Sequence, residues 1–281
     1  MGDHLLVRLT LAEAVEFLGI DSKQFDNFFR SAAEFNSLPR SEGRGRLYFD
    51  SEELTAWKKD YDSRVFNLGK KEYARCLDFA LAMHFRGYVL SDWGTGRQRE
   101  FGQKVSNWVR GQLGELGLSH FCRERLGVEV ELDFEMRKEI VPQDILSIER
   151  DGTKRKPRYT IAVKSSKPKS AYLVLGQNEV ELPERKSHVY ILARVDLPDD
   201  HLLSIAPESI TELLRSQQHF SLYKDKIPQL RPIPCEIAGF AYIDELEKTN
   251  SIPGQEFSGL RYVKQSGKLR RSLKDWNKVF S

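Results

Sequence analysis

The sequence predicts an α/β (α+β) protein: a mixed central sheet flanked by helices, preceded by a small winged helical unit. Three observations lead there. Val128-Glu129-Val130-Glu131-Leu132-Asp133-Phe134 alternates as a half-buried strand does, and Val189 to Val195 reads as a continuous buried strand. Apolar residues at helical spacing recur in two long runs, Tyr73, Leu77, Ala80, Leu81 and Phe85, then Phe101, Val105, Trp108 and Leu116. Residues 9–62 form a separate run of short capped helices around a basic hairpin, so the expected division is 1–65 and 66–281.

In that first unit, Thr10 caps a helix carrying Leu11, Ala14, Val15 and Leu18 and ended by Gly19. Ser22 caps a second helix with Phe25, Phe28 and Phe29 inward and Lys23, Gln24, Asn27 and Arg30 outward. A Gly-rich hairpin with Arg40, Arg44 and Arg46 leads into Leu47-Tyr48-Phe49 and a further helix at Ser51-Glu52-Glu53-Leu54. Asp60 to Lys71 reads as a linker, and a helix follows from about Lys70 to Phe85.

The next helix holds Glu115 among Gly111, Gly114 and Gly117. Each glycine costs about 1 kcal/mol against alanine inside a helix, so three in register call for a close approach to the sheet. After the alternating strand, whose Glu129, Glu131 and Asp133 share its polar face, Asp144 opens Ile145-Leu146-Ser147-Ile148. Asp151-Gly152 is a turn signal, and in the following strand Tyr159, Ile161 and Val163 point one way, Thr160, Ala162 and Lys164 the other. This brings Asp144 and Lys164 to one sheet end, with the glycine-lined helix delivering Glu115 to the same edge. A carboxylate that can hold a hard cation and a lysine that can hold water and steady phosphate charge suit metal-assisted phosphodiester hydrolysis.

Farther on, Pro207-Glu208-Ser209 starts an amphipathic helix through Leu214, and Cys235 to Ile243 reads as a strand running into a helix at Asp244-Glu245-Leu246. Leu269, Leu273, Trp276 and Phe280 make the apolar stripe of a tail helix, with Lys268, Arg271, Lys274 and Lys278 outside it as a cationic face expected to lie along DNA phosphates.

With 281 residues, 40% hydrophobic and 30% charged, the chain has the composition of a globular protein. Its net charge of +3 is unevenly placed: residues 1–62 carry −4 and residues 264–281 carry +5. Basic runs at Lys154-Arg155-Lys156 and around Lys167 and Lys169 lie near the proposed site and suit backbone phosphates. Cys76, Cys122 and Cys235 lack paired spacing and read as buried thiols of a cytoplasmic protein. The start shows no export signal, and no apolar run reaches the roughly 18 residues of a membrane span. The histidines show no zinc spacing, although His120 lies near Glu115 in sequence. No GxxxxGK[ST], GxSxG or strand-borne dinucleotide motif is present, which argues against ATP, NAD and acyl-enzyme chemistry.

The order of a helix glutamate, a strand aspartate and a hydrophobic strand ending in Lys164-Ser165 resembles the PD-(D/E)XK nuclease superfamily, to which many restriction endonucleases belong. The resemblance implies a restriction-endonuclease-like fold and a type II site-specific deoxyribonuclease. It implies Asp144 and Glu115 as ligands of Mg²⁺, with Mn²⁺ a possible substitute, the Val163 carbonyl as a further ligand, and Lys164 as the residue placing the nucleophilic water. One position departs from the pattern: where the family carries Glu or Asp, two residues before the lysine, stands Ala162. One of Glu129, Glu131 and Asp133 is then a candidate to stand in.

The two short helices and basic wing of residues 9–62 resemble the winged helix-turn-helix of MerR-type and excisionase-type proteins. That likeness implies base reading by Lys23, Gln24, Asn27 and Arg30, with phosphates held by Arg40, Arg44 and Arg46. Double-stranded DNA is the expected partner, and a homodimer matches its two antiparallel strands. The alternatives are a catalytically inactive DNA-binding protein on a nuclease-derived scaffold and a MerR-like regulator.

Overall fold

The computed structural model describes residues 8–19, 41–43, 46–86, 101–135 and 143–281, with the side chains of 41–47 left out. Its N-terminal part is built around Thr10. The Thr10 amide donates to the Glu13 carboxylate at 2.7 Å and the Glu13 amide returns to the Thr10 hydroxyl at 3.5 Å, closing the first turn of α1 (Leu11–Leu18). Strands β1 (Arg8–Thr10), β2 (Ser41–Gly43) and β3 (Arg46–Asp50) form a sheet in the order β1-β3-β2, in which Gly43 pairs with Arg46 as the hairpin requires. Asp50 then accepts from the amides of Glu52 and Glu53, starting α2 (Ser51–Asp62). Ala14, Val15, Leu18, Phe49 and Leu54 give this part its own core. Lys23, Gln24, Asn27, Arg30, Arg40 and Arg44 lie outside the described residues, and Arg46 opens β3.

The stretch expected as a linker is structured. After α2, Val65–Leu68 is β4, an edge strand of the main sheet, with Phe66 and Leu68 buried. The sheet runs β4-β11-β10-β8, where β8 is Ile161–Ser166, β10 is Val189–Val195 and β11 is Ile233–Tyr242. β10 is parallel to β8 and antiparallel to β11, and it is buried at every position, as its apolar run predicts. Its one charge, Arg194, is matched. Arg194 and Arg64 donate to the two oxygens of Glu236 at 3.0 and 2.7 Å, and all three are at most 4% exposed. The buried triad therefore fastens the end of α2 to the middle of the sheet.

One face of the sheet (Ile161, Val163, Val189, Ile191, Ala193, Val195) packs under α3 (Lys70–Phe85) and α4 (Phe101–Phe121). The alternate residues Ala162, Tyr190 and Leu192 point the other way, into a cluster with Leu173 and Leu175 of β9 (Tyr172–Gly176) and Val180 of α5 (Gln177–Glu181). β9 is the edge of a second sheet, β12-β13-β9, with β12 at Glu247–Ile252 and β13 at Gln255–Gln265. A third sheet, β5-β6-β7, joins Glu129–Leu132, Ile145–Arg150 and Thr153–Arg155. The fold is thus mixed α+β.

Two expectations change. The helix expected at Asp244-Glu245-Leu246 is a single 3-10 turn, Ile243–Glu245, that hands the chain to β12. The tail helix α6 is shorter, Leu273–Val279, and begins at a Ser272 cap; Leu273 is 46% exposed and the buried stripe is Trp276, Val279 and Phe280. Leu269 precedes the helix and joins the cluster with Ala162. Gly239 (φ 136°) admits the backbone of Arg270, which bridges Phe240. Among the described residues, no helix is long and apolar enough to cross a membrane.

Candidate active site

Glycine brings α4 onto the sheet. A Cβ on Gly114 would overlap Ser165 Oγ and stand 3.1 Å from the Ala193 Cβ, and one on Gly117 would overlap Cys235 Sγ. Gly111 is different: its Cβ direction is open, and its carbonyl accepts from Ser165 Oγ at 3.2 Å. The close approach expected from the glycine spacing holds for two of the three, and it sets Glu115, 7% exposed, against the strands.

Asp144 arrives from the opposite direction. Its amide donates to Ile161 O at 3.0 Å, and its carboxylate accepts from Val163 N at 2.6 Å. The short hairpin partner of β6 is β7, not β8, yet the start of β6 still lies against β8, so Asp144 reaches the residue next to Lys164. Lys164 Nζ donates to Glu179 Oε1 on α5 at 3.3 Å. Glu179 is itself held: Gly176 N donates to its other oxygen at 3.2 Å, and Tyr190 Oη donates to its backbone carbonyl at 2.9 Å.

Electrostatics couples these groups. Burial pushes the Glu115 carboxyl well above its ordinary value, Asp144 and Asp133 push it further, and Gln112 and Lys164 pull it back. Burial also raises Asp144, opposed by Lys164 and the Val163 amide and reinforced by Asp133 and Glu179. For Lys164, burial disfavours the ammonium, but Glu179 and Asp144 outweigh it and the net shift is upward. Burial and the charge of Glu115 together push the Cys76 thiol up to about 12, which keeps it protonated. Among the described residues, Lys164 is the cation that acts on both Glu115 and Asp144.

Of the three acids on the alternating strand, two are engaged elsewhere. Glu129 accepts from Arg123 at 2.6 Å, and Glu131 from Ser147 at 2.6 Å and Lys154 at 2.9 Å. Asp133 adds its charge to the site, its amide donates to Asp144 O at 3.1 Å, and its carboxylate accepts from the Glu135 amide at 2.9 Å. Among the described residues, no three His, Cys, Asp or Glu side chains converge tightly enough to hold an ion between them. The donor set that fits is two carboxylates, Glu115 and Asp144, and Mg²⁺ binds commonly through one or two carboxylates with water completing its shell. His120 sits between Glu72 and Glu124, 3.8 Å from each, away from this group.

Glu179 and Gln112 were not singled out from sequence. Gln112 stands one helical turn before Glu115 and was open to the same spacing reasoning; Glu179 joins through tertiary packing, for which no local pattern exists. Outside the centre, Arg155, Lys156, Lys169 and Lys268 are exposed. Lys154 and Lys167 form ion pairs with Glu131 (2.9 Å) and Asp199 (3.4 Å). Arg271 is committed inward, donating to Ala238 O at 2.7 Å and Ser266 O at 2.6 Å. Comparison with family models, curated proteins and solved structures finds no match to the chain.

Proposed function

We propose that the chain is a sequence-specific, divalent-metal-dependent double-stranded DNA endonuclease with a restriction-endonuclease-like fold. The observation that carries this reading is the meeting of Glu115, Asp144 and Lys164, brought from distant parts of the chain: the buried Glu115 carboxylate and the half-buried Asp144 carboxylate act on each other, and Lys164 acts on both. Glu115 and Asp144 hold the cation, which when bound supplies Lewis acidity at the phosphate and a more acidic water. Lys164, kept protonated by Glu179 and Asp144, places the water and steadies the charge that grows on phosphate. The Val163 amide fixes the Asp144 carboxylate against β8, so the acid and the lysine keep their spacing. Exposed Arg155, Lys156, Lys169 and Lys268 follow the backbone, the N-terminal unit reads bases as a winged helix-turn-helix, and a second copy serves the other strand.

The test is plasmid cleavage in Mg²⁺ or Mn²⁺ by the wild type beside Asp144→Ala and Lys164→Ala, each checked for an unchanged melt. Loss of cleavage in both is expected; cleavage persisting in either refutes the assignment. A second reading has its own support, because Ala162 lies in an apolar cluster with Leu173, Leu175, Val180 and Tyr190 where the resembled family carries an acid. In that reading the chain binds DNA without cutting it, and specific retention of duplex with no cleavage in either metal is the result that favours it.

A further inference from the structure

Between Ser204 and Ile233 the chain leaves the core, and no residue on the way is buried. The main element of this arm is the helix Pro207–Leu214, eight residues long, with no buried residue and no side-chain cap at Ala206. A helix needs about 12–15 residues to stand alone in water, and shorter ones owe their stability to an apolar face packed on something else. The arm has such a face. Leu203, Leu213 and Leu222 are 55%, 75% and 70% exposed. A lone exposed leucine is ordinary on a surface, but several on one short arm mark a place where another molecule binds.

We propose that this arm, residues 202–227, is the surface through which the chain pairs with a second copy of itself. Charge selects the partner. Among residues 207–226 three acids, Glu208, Glu212 and Asp225, balance three bases, Arg215, Lys224 and Lys226. All six are exposed, and among the described residues none of their side chains forms an ion pair or a hydrogen bond. A net charge of zero disfavours a polyanion such as DNA as the occupant. The signs are also separated along the arm. Glu208 and Glu212 lie on the helix, and Arg215, Lys224 and Lys226 follow it, with Asp225 the one acid among them. In a twofold pair each surface meets itself turned around, so the acidic start of one arm faces the basic end of the other. Leu213 stands at the change of sign, between Glu212 and Arg215, where the leucines of two copies can close on each other. A stable interface takes about 20–30 residues from each side, and residues 202–227 alone come to that number. Glu115, Asp144 and Lys164 lie outside the arm, so the interface stands on its own observations. Only its use, bringing a second site to the other DNA strand, rests on the endonuclease reading.

The test is sedimentation velocity of the whole chain in a dilution series, without DNA or metal. The wild type should sediment as a dimer. Leu213→Glu with Leu222→Glu, both at exposed positions, should leave the circular dichroism spectrum unchanged and weaken the dimer at least about a hundredfold, as the loss of two anchors does. Charge variants then identify the partner. Glu208→Lys with Glu212→Lys makes the arm basic, and Arg215→Glu with Lys224→Glu and Lys226→Glu makes it acidic. Each alone should be monomeric where the wild type is dimeric, and an equal mixture of the two should form mixed dimers. A wild type that is monomeric at every concentration overturns the proposal. So does a dimer that survives both leucine substitutions, or a mixture that stays monomeric. A monomeric wild type that retains duplex DNA, with retention lost in the leucine variant, means that the arm seats DNA and also overturns it. Plasmid cleavage in Mg²⁺ is read separately: cleavage by a wild-type monomer removes the interface and leaves the endonuclease, whereas a dimer that never cleaves leaves the interface without the endonuclease.

Discussion

Alanine at Gly111, Gly114 and Gly117 of α4 tests how the site is held together, because one substitution on one helix is expected to act with opposite signs. At Gly111 nothing lies within 4 Å of the new Cβ, so Gly111→Ala should gain about 1 kcal/mol of helix propensity. At Gly117 the Cβ overlaps Cys235 Sγ and stands 3.0 Å from the Cys235 Cβ, in the buried middle of β11. Overpacking there costs about 1–3 kcal/mol, which cancels or exceeds the propensity gain. Gly114→Ala meets Ser165 Oγ and Ala193 Cβ. If Ser165 rotates away it gives up its bond to Gly111 O, about 1 kcal/mol more. Urea denaturation at constant slope should therefore rank Gly111→Ala at or above wild type and place Gly114→Ala and Gly117→Ala about 1–3 kcal/mol below Gly111→Ala. The reasoning fails if all three variants shift by the same amount. Gly114→Ala should also cut cleavage more than its stability explains, because pushing α4 outward moves Glu115, and a displacement of about 1 Å can cost about a hundredfold in rate.

Two more expectations follow from buried charge. Arg64→Ala should destabilise by about 3–5 kcal/mol in denaturant unfolding, because it strips one cation from a Glu236 carboxylate that is 3% exposed; a loss under about 1 kcal/mol would mean the triad is not the fastening. Glu115 and Asp144 have raised folded values, so their neutral forms favour folding: that contribution is complete below the unfolded carboxylate value and is lost as pH rises through the folded values. In EDTA the melting temperature should fall over that rise and Glu115→Gln should flatten the fall; identical pH profiles for the two proteins would contradict the placement of Glu115.

What was legible in the sequence is what periodicity and punctuation encode. The helix at Lys70–Phe85 and the strand at Val189–Val195 stand where their spacing put them. The turn at Asp151-Gly152 has positive φ at both residues, 51° and 74°, as a tight hairpin asks. Asp144 and Lys164 come close, but not through the expected hairpin: β6 pairs with β7 in another sheet, and Asp144 reaches β8 through its bonds to Ile161 O and Val163 N. β4 was missed because Val65–Leu68 is short and sits beside charged residues, so composition resembled a linker while its pairing partner, β11, lies far along the chain. The β12–β13 hairpin was missed because β12 is polar and largely exposed, with no buried face to impose a period of two. Leu273 failed as a core residue because the stripe was extended through a segment that is not helical: Ser272 starts the helix, and the chain before it follows the sheet edge.

Ala162 takes on a different meaning once the layers are known. Its side chain leaves β8 on the same face as Lys164, the face covered by β9 and α5, whereas Glu115 comes from the face covered by α4. The space beside Ala162 is taken by Leu173, Leu175, Val180 and Tyr190, and Tyr190 is the residue that pins the backbone of Glu179. A carboxylate at 162 would have to lie among these apolar groups or compete with Glu179 for the one ammonium. In this chain the acid that partners the lysine is carried by α5, and the acids available to a cation come from α4 and the start of β6. The two tasks that a single strand motif combines are divided between the two sides of β8. On the proposed reading, that division makes Glu115, not position 162, the second carboxylate offered to a cation.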